Sequence, residues 1–145
     1  MYSILVHAHS GLRWVLLLLL VMTVLRAIGG MSGNKPYTDG MRKLALFTMI
    51  FTHVQILLGL ILYAISPKVQ FGAETMSDSV LRFFAVEHFV MMILAAVLIT
   101  MGNRRSKSGA TDQARYKSVF WFYLIGFVLI MAAIPWPFRG LGSWF

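Results

Sequence analysis

The chain has 145 residues, of which 59% are hydrophobic and only 12% charged. That balance is foreign to a soluble domain of this length and ordinary for a polytopic membrane protein. With no cysteine, disulfides, iron–sulfur clusters, thiolate-ligated haem and c-type haem attachment are excluded. The formal charge of +8 does not mark a nucleic-acid binder, because the basic residues flank apolar segments and form no stripe with interleaved aromatics.

Four apolar segments follow one another, at about 4–28, 44–65, 83–101 and 119–136, the last meeting Pro135-Trp136-Pro137 beyond Ile134. A hydrocarbon core of about 30 Å takes roughly 20 helical residues. Each segment therefore reads as a transmembrane helix, since barrel strands would alternate polar and apolar residues. The first segment lacks the basic n-region and clean cleavage site of a signal peptide, so a retained span is expected.

Between the segments lie short linkers at 29–40, 66–79 and 102–113. Links of that length imply one all-α domain, an up-down-up-down four-helix bundle. Nine of the 13 Lys and Arg cluster at the first and third linkers: Arg26, Lys35, Arg42, Lys43, Arg104, Arg105, Lys107, Arg115 and Lys117. The positive-inside rule then puts those linkers in the cytoplasm and both termini on the outer, periplasmic side. Trp136, Phe138, Trp144 and Phe145 would mark the outer interface, Trp121 and Tyr116 the inner one.

All four histidines lie in or at the edge of these spans. Ionisable side chains within a membrane are costly and mark functional sites. Two neutral imidazoles on different helices, facing one apolar slot, are all that haem b requires of a bundle. At about 1.5 Å of rise per residue, His53 lies roughly 15 Å above Lys43, His88 roughly 24 Å above Arg104 and His9 roughly 25 Å above Arg26. His53 with His88 is the first pairing, because both lie well inside their spans, and His9 with His88 is the second. His7 reads as an interfacial residue. A His7-x-His9 metal chelate is disfavoured, since helical residues two apart point about 200° away from each other.

Arg13 and Glu87 are the other buried-span charges, at similar depth on different helices, and an ion pair between them is expected. Arg13 shares a helix face with His9, which suits a contact with a haem propionate or a quinone oxygen. Glu87, beside His88, then serves as a supporting group, with His7 further out. Gln55 and Tyr63 read as helix–helix hydrogen bonders, and Gly59 as a point of close approach.

The set HAHSGLRW at 7–14, HVQILLGLILY at 53–63, VEH at 86–88, NRR at 103–105 and IPWPFR at 134–139 resembles small four-helix bacterial membrane proteins labelled cytochrome b or cytochrome b561-like. The resemblance covers nearly the whole chain. It implies haem b held by intramembrane histidines, with His9, His53 and His88 as ligands, in quinone-linked respiration in the inner membrane. The fourth span has no histidine, which favours one haem over two. The expected role is an electron-transfer subunit rather than a stand-alone enzyme, in contact with lipid and with other subunits. A haem-free accessory subunit of a larger respiratory or transport complex is the alternative.

Overall fold

The structure, a computed structural model, describes residues 1–141. Trp144 and Phe145, expected at the outer interface, lie outside the described residues. Four helices are long and apolar enough to cross a membrane: α1, Tyr2–Ser32; α2, Asp39–Ile65; α3, Ser79–Ser108; and α4, Asp112–Ala133. A short 3-10 turn, Pro137–Arg139, follows α4. Every regular element among the described residues is helical.

Each helix begins before its apolar segment; α1 and α3 also run past its end, whereas α4 stops at Ala133, short of 136. The first linker contracts to residues 33–38 and the third to 109–111. The overrun has local causes. Thr38 caps α2 by accepting from the Met41 amide, Asp78 caps α3 through the Val80 and Leu81 amides, and Thr111 caps α4 through the Ala114 amide. At the other end of α3, Arg105 and Lys107 sit in the last turn, where cations complement the helix dipole. Helices continue past the apolar stretch because the backbone ladder costs nothing to extend once it is started.

α1 packs on α2 and α4, and α3 packs on the same two helices. α1 and α3 thus stand diagonally opposite across a four-helix bundle. The exterior is oily: Leu18, Leu25, Phe47, Leu57, Ile61, Val97 and Val128 are exposed. Such a surface is suited to contact with lipid, and lipid removes the hydrophobic force that would otherwise press the helices together. Close backbone approach and buried polar contacts take over. A Cβ on Gly102 would stand 2.6 Å from Phe122 Cβ, and one on Gly126 would stand 2.9 Å from Ile99 Cγ1, so α3 and α4 meet at two glycines. Thr23 and Thr48 share a 2.8 Å hydroxyl bond between α1 and α2. The Tyr123 hydroxyl donates to the Ala45 carbonyl at 2.7 Å, joining α4 to α2. Tyr116, near the start of α4, is buried and donates to the Pro36 carbonyl.

The glycine contacts yield a test. Gly102→Ala and Gly126→Ala should each destabilise the detergent-solubilised protein by about 1–3 kcal/mol, the usual cost of overpacking. Gly11→Ala, where a Cβ meets open space, should leave the thermal unfolding midpoint unchanged or raise it.

Candidate functional site

Across the diagonal of the bundle, His9 from α1 faces His88 from α3. Their ring centroids are 6.5 Å apart, with the planes at 70°. Phe83 packs against the His88 ring at 5.8 Å between centroids. Two cavities, of about 180 and about 50 Å³, are both lined by the two histidines and by Gln55, Gly59, Tyr63 and Met92. α2 therefore supplies the wall between α1 and α3.

The local backbone accounts for how His88 is aimed. Over Phe83–Glu87, α3 widens into a π turn, and the His88 amide donates back five residues to the Phe83 carbonyl. Side chains five apart then share a face. Arg82 and Glu87 form an ion pair, Nε to Oε1 at 2.8 Å. The Tyr63 hydroxyl of α2 donates to the Ala85 carbonyl inside the π turn, at 2.7 Å. The His88 Nδ1 bonds the Ala133 carbonyl at the end of α4, at 2.7 Å. A carbonyl can only accept, so Nδ1 carries the proton and Nε2 keeps its lone pair.

His9 is held differently. Its backbone carbonyl accepts from Gln55 Nε2 at 2.8 Å. Its ring Nδ1 is buried and has no hydrogen-bond partner among the described residues, and the same holds for Gln55 Oε1. A Cβ on Gly59 would stand 3.3 Å from His9 Cε1, so glycine leaves the imidazole its room. Arg13 is buried one turn further along α1, its guanidinium 5.2 Å from the Trp14 ring centre and 6.0 Å from that of Trp136. It lines the larger cavity with His9.

Not every residue singled out from the sequence comes to this site. His53 is exposed, and its Nε2 bonds the Thr100 hydroxyl at 3.1 Å. Thr100 is 12 residues beyond His88, roughly 18 Å along the helix axis, so His53 is not brought opposite His88. Lys43 and Arg104 do not lie at one level: His53, ten residues past Lys43, bonds Thr100, which is only four residues from Arg104. His7 is exposed, two residues from His9 and so on another face of α1. The expected Arg13–Glu87 ion pair is replaced by Arg82–Glu87, because the π turn swings Glu87 toward the residue five before it. The Ala133 carbonyl that His88 uses leaves no trace in residue types.

Do these residues fit a haem? A metal–imidazole nitrogen bond is about 2 Å and the ring centre lies about 1 Å further, so two axial imidazoles stand roughly 6 Å apart. The 6.5 Å between His9 and His88 matches that span. A fixed Nδ1–H on one ring, a buried orphan nitrogen on the other and a glycine beside it complete a fitting donor set. The two cavities together fall short of the about 300–1,000 Å³ of typical ligand pockets, so a macrocycle requires the side chains around them to repack. Among the described residues no group of three or more His, Asp or Glu side chains is placed to hold a bare metal ion.

No family model, curated protein or solved structure matches the chain.

The Tyr63 contact is testable by itself. Tyr63→Phe should strand the Ala85 carbonyl and lower stability by about 1–3 kcal/mol. Thermal unfolding in detergent reads the loss, with the helical circular dichroism of the folded state preserved.

Proposed function

We propose that this chain is a membrane cytochrome b-like protein that binds one haem b between His9 and His88 and takes part in quinone-linked electron transfer. The observation that carries this reading is the pair of imidazoles facing each other at 6.5 Å across the bundle. Bound haem would supply a one-electron redox centre. The chain's own residues supply the rest. His88 offers Nε2 with its tautomer set by Ala133, and His9 offers a buried ring with an unbonded nitrogen. Arg13 brings a buried positive charge to the cavity wall, suited to a carboxylate of the cofactor or a quinone oxygen. Aliphatic and aromatic walls, Met92, Phe84 and Ile130 among them, would limit the access of water to a bound haem. The cytochrome b-like sequence motifs add to this reading.

In this reading the helices run up-down-up-down through the bacterial inner membrane. The nine basic residues of the first and third linkers face the cytoplasm and both termini face outward. The protein passes electrons between the quinone pool and other subunits of a respiratory complex.

Protein purified from haem-replete cells should give the reduced-minus-oxidised spectrum of a low-spin haem b. His9→Ala and His88→Ala should each abolish it, while His53→Ala should keep it. No spectrum from the wild type would sink the cytochrome reading in favour of a haem-free accessory subunit. A spectrum lost in His53→Ala and kept in His9→Ala would reverse the ligand assignment.

A further inference from the structure

The end of α4 satisfies its carbonyls in an unusual way. In a continuous helix the carbonyls of residues 131, 132 and 133 would accept from the amides of residues 135, 136 and 137. Pro135 and Pro137 have no amide hydrogen. A residue preceding proline is also pushed out of the helical region. Ile134 and Trp136 obey, with ψ of 132° and 142°. The last regular bond is therefore from the Ile134 amide to the Ile130 carbonyl, and the Trp136 amide turns to the Ile134 carbonyl instead.

Three carbonyls are left, and three side chains take them. Trp136 Nε1 donates to the Met131 carbonyl at 2.9 Å, and Arg139 Nη1 donates to the Ala132 carbonyl at 2.9 Å. The third, Ala133, receives His88 Nδ1. Arg139 also lies over the Phe83 ring, 5.2 Å from its centre, so the capping turn grips the π turn that carries His88.

We propose that the Pro135-Trp136-Pro137 break is a positioning device for His88: two prolines keep the Ala133 carbonyl free so that it holds the imidazole as the Nδ1–H tautomer, with Nε2 turned to the site. The inference rests on the reading of His88 as a ligand. It extends that reading beyond the histidine pair to the end of α4, where Pro135 itself lines the larger cavity. The two prolines act redundantly. Pro135 alone keeps Ile134 extended, and Pro137 alone withholds the amide that Ala133 would otherwise accept from. Only their joint loss lets α4 run on and take the carbonyl back.

The test uses the full-length chain with [15N]histidine, prepared without haem in detergent micelles, with the His88 signals assigned by their loss in His88→Phe. Wild-type His88 should be the Nδ1–H tautomer, ordinarily the minor form in water. Pro135→Ala and Pro137→Ala should each keep it. The double variant should convert it to the Nε2–H form or a mixture. An Nε2–H tautomer in the wild type overturns the proposal, as does a double variant that keeps Nδ1–H or a single variant that loses it. Should the double variant fail to fold, isotope-edited infrared of 13C=O-labelled Ala133 decides. Its band should shift to higher frequency in His88→Phe, and an unshifted band overturns the proposal. The tautomer is read without haem, so it stands or falls separately from the cytochrome spectrum.

Discussion

A backbone carbonyl within hydrocarbon has no water to turn to, and leaving it bare costs several kcal/mol. The candidate site depends on that constraint. The chain breaks regular helix at two places near His88, the π turn of α3 and the proline end of α4. At each break one carbonyl is met by a side chain of another helix. Tyr63 reaches from α2 to α3, and His88 reaches from α3 to α4. The bonds that repair the backbone also tie helix to helix. The histidine is held in place by the need to satisfy a carbonyl as much as by packing.

The rest of the bundle makes that repair rigid. α3 and α4 approach at Gly102 and Gly126, which fixes the height of Ala133 relative to His88. α1 is joined to α2 by the Thr23–Thr48 bond and by Gln55 on the His9 carbonyl. Since α1 and α3 each pack on both α2 and α4, the diagonal between His9 and His88 is set by two independent routes through the structure. A sliding of either helix by one residue would move its imidazole by about 1.5 Å and rotate it by about 100°.

Four long apolar helices were legible because the signal is composition over some 20 residues, which local detail does not disturb. The importance of intramembrane histidine was legible for the same reason, since an ionisable group in an apolar run stands out. Pairing was not. Depth counted from Lys43 and Arg104 takes the two residues to be level, which the His53–Thr100 bond shows they are not, and α3 is separately broken at Phe83–Glu87. One extra residue in a π turn rotates everything before it relative to everything after. That is why Glu87 meets Arg82 rather than Arg13. The prolines were visible, but the consequence for Ala133 is a statement about which amide is missing four residues on. The hydrogen-bond ladder must be followed residue by residue to see it.

The two imidazoles are not equivalent, and the difference bears on how a ligand would be received. His88 is bonded through Nδ1, packed on Phe83 and mounted on a turn gripped by Arg139. Its orientation is settled before anything binds, and the entropy of ordering it is already spent in folding. His9 has an unbonded Nδ1 and a glycine for a neighbour. A partner that met it would recover the free energy of its unsatisfied nitrogen. One preset donor gives a ligand its register in the bundle. The unbonded nitrogen of His9 would supply the second contact from the opposite corner of the bundle.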